Sequence, residues 1–115
     1  MSSVNGIPLN ALGETVYHKT NASSKENIKA TSGVIKKVFG ENKTQKPRYI
    51  QIFNKLASSV SLGTTTPSFV IPIAPAGFFD YSLNISIANA ISYAVTDTET
   101  GGALATLSTL NISHT

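Results

Sequence analysis

The side chains that could carry out chemistry are few and scattered along this chain. It has no cysteine, and its two histidines, His18 and His114, lie near opposite ends of the sequence. Metal sites need clustered histidine, cysteine or carboxylate groups. The nearest approach to such a cluster is Asp97 and Glu99, which fall in a predicted turn with too few oxygen ligands for calcium. A Gly-x-Ser-x-Gly elbow and a glycine-rich phosphate loop are also absent from the sequence. We therefore predict that the protein is not an enzyme and takes no cofactor and no metal.

The charged residues are distributed unevenly. All nine Lys and Arg residues lie between Lys19 and Lys55, whereas residues 56–115 carry acids but no Lys or Arg. The basic half is either a solvated surface or a face that meets an acidic partner. Its bases form no dense run, and no RNP-like or helix-turn-helix pattern accompanies them, so we do not expect nucleic-acid binding. The weakly charged second half, rich in Ser, Thr, Ala and Ile, is suited to burial in an assembly.

We expect a soluble protein with no membrane span. The first residues lack the basic and apolar regions of a secretory signal, and no run approaches the roughly 20 apolar residues that a membrane helix needs. The absence of cysteine is consistent with assembly in a reducing cytoplasm.

Residues 1–13 are predicted to be an extended N-terminal arm, with disorder as the alternative. They contain two glycines and a proline among scattered aliphatic side chains. An arm of this kind gains from lying on a partner, and we therefore take its aliphatic residues as candidate contacts. These residues are Val4, Ile7, Leu9 and Leu12.

The remainder, residues 14–115, has the pattern of a single all-β domain. Short runs rich in Val, Ile, Thr, Tyr and Phe alternate with turn-forming residues. The predicted strands lie at 15–19, 27–31, 34–39, 48–55, 68–73, 78–87, 90–96 and 103–113. We expect Gly40 to end the third strand, and Leu104 to share one face of the last strand with Leu110 and Ile112. About eight short strands without a strong helix predict an antiparallel β-sandwich, and a jelly roll is its eight-stranded form.

Two segments allow a helical alternative. Residues 85–95 have apolar side chains at both strand and helix spacing, but their Ile, Val, Tyr and Ser content favours strands. Residues 25–37 could also form a short helix, against which Gly33 and the preceding Thr-Ser pair argue.

The strand that begins at Arg48 has two partly apolar faces. Tyr49, Gln51 and Phe53 point to one side, and the two isoleucines between them point to the other. Such a strand is usually covered on both sides. We therefore expect a second layer of the domain, or a neighbouring subunit, to cover the Tyr49 side.

This strand and three later segments resemble a family of small structural proteins of tailed bacteriophages. The matching segments are Arg48-Tyr-Ile-Gln-Ile-Phe-Asn-Lys55, Leu62-Gly-Thr-Thr-Thr-Pro67, Phe69-Val-Ile-Pro-Ile73 with Pro75-Ala-Gly77, and Ala90-Ile-Ser-Tyr-Ala-Val-Thr96. The resemblance covers about residues 14–113. The family often has glycine where this chain has Ala90, and the N-terminal arm has no clear counterpart in it.

The resemblance implies a capsid decoration (cement) protein on the outer surface of a phage head. Its partners would be the major capsid protein and, in a homotrimer, further copies of itself. Such a protein is made in the host cytoplasm and resides in the virion. The charge asymmetry suggests that the neutral half forms the trimer and that the basic half faces the capsid. The candidate capsid contacts are Lys36, Lys37, Lys43 and Lys46.

Two other functions stay open at this stage. The protein could be a module of a phage tail, neck or fibre that binds a receptor or glycan through Phe78, Phe79 and Tyr81, although we expect at least two of these rings to pack in the core. A small host hydrolase or lectin is the other alternative, and the missing constellations of carboxylate, His and Cys argue against the hydrolase.

Overall fold

The computed structural model describes residues 15–115, and these form an antiparallel β-sandwich of eight strands. The predicted fold class is thereby confirmed. The strands are β1 Thr15–Ala22, β2 Glu26–Lys29, β3 Gly33–Asn42, β4 Arg48–Phe53, β5 Phe69–Ile73, β6 Gly77–Ile87, β7 Ile91–Thr96 and β8 Leu107–His114. A short 3-10 helix, Ala57–Ser59, follows β4. The predicted arm and its residues Val4, Ile7, Leu9 and Leu12 lie outside the described residues.

The strands divide into two four-stranded sheets. The first sheet has the order β1-β8-β3-β6, and the second has the order β2-β7-β4-β5. Six of the seven connections between successive strands cross from one sheet to the other, and only β4 and β5 follow each other within a sheet. Among the described residues, no helix is long and apolar enough to cross a membrane.

The main core lies between the two sheets. It is built from aliphatic residues on one face of each strand, such as Ile50 and Ile52 on β4 and, across a register shift in β3, Ile35 and Val38, all of which are fully buried. Because side chains alternate along a strand, the opposite face of each strand must be covered or solvated.

The opposite face of β4 is covered by loops of the same chain. Phe53 packs there with Val60, Ala94 and Leu62 in a second, smaller cluster. Gln51 is fully buried, and its Nε2 donates hydrogen bonds of 3.0 Å each to Thr96 Oγ1 and to the carbonyl oxygen of Gly101. The domain's own residues therefore cover Gln51 and Phe53 on this side of the strand, whereas Tyr49 remains half-buried.

Tyrosines bridge the two sheets at both lateral edges of the sandwich. At one edge, the hydroxyl of Tyr17 on β1 lies 3.0 Å from that of Tyr93 on β7, and it donates a 3.2 Å hydrogen bond to Glu26 on β2. Burial, which is the largest cause, raises the pKa of both phenols above their ordinary value. At the other edge, Tyr81 on β6 donates a 2.9 Å hydrogen bond to the carbonyl oxygen of Pro72 on β5.

Both segments with a helical alternative form strands. Residues 85–95 make the end of β6, a turn and the greater part of β7, and residues 25–37 contain β2 and the first half of β3. The predictions of strand over helix are confirmed.

Two predicted details of the strands are wrong. Gly40 does not end β3, which continues to Asn42. The glycine lies inside the strand because the backbone of β8 is too close at this position for any side chain. A Cβ atom on Gly40 would overlap the carbonyl oxygen of Thr109. The last strand begins at Leu107 rather than at residue 103, and Leu104, which forms an isolated bridge to β7, is 45% exposed.

Candidate contact surface

The described residues contain no group of three or more His, Cys, Asp or Glu side chains that could hold a metal ion. Nδ1 of His18 lies 2.6 Å from Oδ1 of Asn111, on the exposed face of the first sheet. His114 is 6% exposed, and its Nδ1 lies 3.1 Å from the carbonyl oxygen of Thr115. Asp97 lies in an exposed turn. The two histidines thus have separate local partners, and they do not form a common site with Asp97.

Two of the four candidate lysines are engaged by their own sheet. Nζ of Lys36 donates a 3.2 Å hydrogen bond to Oδ1 of Asn84. Nζ of Lys37 lies 3.3 Å from a carboxylate oxygen of Asp80 and 5.5 Å from the centre of the Phe39 ring. The positive charge of Lys37 is therefore partly compensated before any partner arrives.

The other two candidates, Lys43 and Lys46, are exposed and lie in the turn that follows β3. No ion pair or hydrogen bond joins either ammonium group to another described residue. The structure therefore places two of the lysines on the sheet, where Lys36 is hydrogen-bonded and Lys37 is ion-paired, and the other two in a turn without side-chain partners.

The turn that carries Lys43 and Lys46 is fixed by Asn42, which is fully buried. The Asn42 amide donates to the carbonyl oxygens of Lys46 at 2.9 Å and Ala74 at 3.1 Å. Its Oδ1 accepts hydrogen bonds from the backbone N–H of Thr44 at 3.0 Å and from the Thr44 hydroxyl at 2.7 Å. A buried and satisfied amide of this kind holds the turn in one conformation, so the two lysines are presented without a large loss of backbone entropy on binding.

Phe78 is the most exposed large apolar side chain in the described part of the chain, with 85% of its surface accessible. It lies at the start of β6, directly opposite Glu41 on β3. Beside it the outer face of the first sheet has a shallow depression of about 370 Å³. The lining residues are Phe39, Gly40, Glu41, Phe78, Phe79, Asp80, Thr109 and Asn111.

The expectation that at least two of the rings of Phe78, Phe79 and Tyr81 would pack in the core is wrong. Phe79 alone is buried, at 9% exposure, and Tyr81 remains 37% exposed while it bridges the sheet edges. Phe78 points outward because it alternates with Phe79 along β6.

Sequence reasoning missed Glu41 and Phe78 as parts of one surface. A Phe-Phe pair reads as apolar whichever ring faces the core, and only the strand register decides which ring is exposed. The sequence predicts that β3 ends at Gly40, and this prediction puts Glu41 in the following loop.

An exposed aromatic ring, a depression and two uncompensated lysines at one end of a rigid sandwich form a surface suited to contact with another macromolecule. Comparisons of this chain with protein-family models, with curated proteins and with solved structures found no match.

Proposed function

We propose that this protein is a capsid decoration protein, which binds the outer surface of a tailed-phage head and stabilises contacts between major capsid protein subunits. The observation that carries the proposal is the exposed turn at residues 43–46, whose backbone is held by the buried Asn42 and whose lysine ammonium groups have no partner among the described residues. The resemblance of four segments to phage structural proteins supports the same function.

The crossing connections support a jelly-roll topology as the finer description of the fold. A jelly roll places eight strands in two sheets through long connections between them. The alternation of successive strands between the two sheets is the pattern that this topology requires.

We also propose that the protein acts as a homotrimer at sites where capsid subunits meet. A trimer that touches several subunits at once multiplies weak contacts into firm retention. The neutral half, residues 56–115, would supply the trimer contacts, and the basic half would face the capsid.

We propose that the turn at residues 43–46 is the principal basic contact with the capsid, because the ammonium groups of Lys43 and Lys46 have no partner among the described residues. Lys37 is already paired with Asp80, so reversing its charge alters an internal pair as well as any contact. Lys46 has no such partner among the described residues, and its reversal therefore reports on the capsid alone.

The test is binding of the purified protein to bare heads of the phage that encodes it. After co-sedimentation, the number of copies per head is measured by densitometry against the major capsid protein. Hundreds of copies per head support a decoration protein, whereas a handful would indicate a tail or neck component.

A pair of matched variants tests the basic contact. Lys46→Glu should lower occupancy several-fold at low salt. Lys55→Glu, at another exposed lysine on the loop after β4 and outside the 43–46 turn, should lower it much less. Equal occupancy for both variants would contradict a role for the 43–46 turn.

A tail or fibre module that binds glycans is the second candidate function, and the exposure of Phe78 favours it. Sugars stack on exposed aromatic rings, and the polar groups of Asp80 and Asn111 lie in the same depression. Binding on a glycan array that is lost in Phe78→Ser would support this function over decoration.

A further inference from the structure

The surface around Phe78 carries opposite charges next to each other. Glu41 lies near the end of β3, and Lys43 follows it two residues later in the adjoining turn. No ion pair joins either side chain to a described residue. Asp80, the other acid of the depression, is already paired with Lys37.

A patch with this arrangement is complementary to itself. A twofold axis that passes between Glu41 and Lys43 sets the carboxylate of each copy opposite the ammonium group of the other. In such an isologous contact the same two side chains are used twice, once in each direction. A self-complementary contact needs both an acid and a base on the same surface, whereas a contact with an unrelated partner does not.

The Phe78 ring supplies the affinity that the charged side chains do not provide. Exposed ion pairs contribute little to affinity, because salt and side-chain entropy oppose them. A buried aromatic ring at the centre of a polar rim is the usual anchor of an interface. Phe78 is 85% exposed, lies opposite Glu41 and borders an open depression of about 370 Å³.

We propose that the patch formed by Phe78, Glu41 and Lys43 is a twofold contact between two copies of this chain, in which each Phe78 ring enters the depression of the other copy. This contact is separate from the proposed threefold contact. It leaves Lys46 available for the capsid, and it joins neighbouring trimers where they meet across a twofold axis.

The proposal is tested on the purified protein alone, by sedimentation equilibrium over a range of concentrations. The average mass of the wild type should rise with concentration. If the basic unit is one chain, the mass should reach twice that of the chain, and if the unit is a trimer it should rise beyond twice the trimer mass, because each trimer carries three patches. Raising the salt to about 1 M should weaken the association several-fold, since the Debye length falls to about 3 Å.

Charge reversal provides the decisive comparison. Glu41→Lys and Lys43→Glu should each weaken self-association at least about tenfold, because each places like charges opposite one another twice. An equimolar mixture of the two variants should associate about as tightly as the wild type, because every pair is again of opposite sign. A merely structural defect would not be rescued by mixing.

Variants at Phe78 complete the test. Phe78→Ser should weaken association at least about tenfold. Leu56→Ser, at an exposed leucine outside the patch, should have no effect.

Three outcomes would overturn the proposal. These are a wild-type mass that does not change with concentration, a mixture that behaves like the single variants, and a Phe78→Ser variant that loses head binding but keeps its self-association. The last outcome would make the patch a capsid contact. None of these measurements needs heads except the last, so failure of the twofold contact is distinct from failure of the proposed function.

Discussion

Replacing Gly40 with alanine should destabilise the sandwich more than the same change at Gly33 or Gly77, the other glycines of the described strands. A Cβ atom at this position would overlap the carbonyl oxygen of Thr109 and lie 2.8 Å from its carbonyl carbon and 3.0 Å from Cζ of Phe79. Because the first two atoms belong to the backbone of β8, relief requires β3 and β8 to move apart by about an ångström.

The magnitude follows from two costs. Overpacking of a core by a methyl group costs about 1–3 kcal/mol. Separation of the strands weakens one or two backbone hydrogen bonds, at about 0.5–1.5 kcal/mol each. We expect Gly40→Ala to lower the free energy of unfolding by about 3 kcal/mol, which is a large part of the roughly 5–15 kcal/mol of an ordinary domain. With an unfolding entropy of about 2.1 cal/mol/K per residue, the melting temperature of this 115-residue chain should fall by about 12 °C.

The assay is urea denaturation followed by circular dichroism, with thermal unfolding as a second measurement. Gly77→Ala is the matched control, because Gly77 lies on the paired strand β6 and a Cβ atom there meets nothing within 4 Å. The control should be neutral or stabilise by up to about 1 kcal/mol, through a smaller entropy of the unfolded chain. The reasoning is refuted if Gly40→Ala lies within about 0.5 kcal/mol of the wild type, or if both variants lose the same stability.

Three further predictions concern side chains of the core. The raised pKa values of Tyr17 and Tyr93 mean that the folded state keeps both phenols protonated, so stability should be constant below about pH 10 and fall above it. Urea midpoints between pH 7 and 11 check this, and Tyr93→Phe should show a shallower alkaline decrease. Phe53→Ala should cost about 3–5 kcal/mol in urea unfolding, and Phe78→Ala, at an exposed ring, less than about 0.5 kcal/mol. Equal costs would contradict the burial pattern. Gln51 has a buried Oε1 with no partner in the described structure, so Gln51→Leu should change unfolding free energy by less than about 1 kcal/mol, whereas Gln51→Glu should cost more than about 3 kcal/mol at neutral pH. A small cost for Gln51→Glu would show that water reaches this side of β4.

Strand identity was predictable wherever composition and turn residues agreed. Pro47 and Arg48 mark the start of β4, and the isoleucines at 50 and 52 mark its core face, because proline cannot donate to a ladder and side chains alternate. Residues 85–95 form strands, as their β-branched content predicts, although their apolar side chains also have helical spacing.

Long-range contacts were not predictable from the local pattern. A glycine in a strand indicates either an end or a close approach of another backbone, and nothing near Gly40 in sequence reveals that Thr109 lies against it. In the same way, the sequence predicts that the side of β4 carrying Gln51 is covered, but it does not reveal that the 97–103 loop covers it.

The contact surface was predictable only in part. Lys43 and Lys46 stand out in sequence as bases in a polar loop, and they are exposed as expected. Lys36 and Lys37 have the same charge, but their partners, Asn84 and Asp80, are more than forty residues away along the chain and reach them only through the pairing of β3 with β6.

The position of β8 has a consequence for how the molecule is made. This strand comes last among the eight, yet it lies between β1 and β3 and is the only described neighbour of β1 in its sheet. Until residues 107–114 have left the ribosome, β1 therefore has no partner strand in its sheet, and the core face of β3, with Ile35 and Val38, lacks its neighbour β8. Pairings between such distant segments form slowly, in milliseconds to seconds for all-β domains. Translation of this strand, rather than arrival of any partner, sets the earliest moment at which a copy can fold, and a chain cut short before it should be recovered as aggregate instead of as a smaller stable domain.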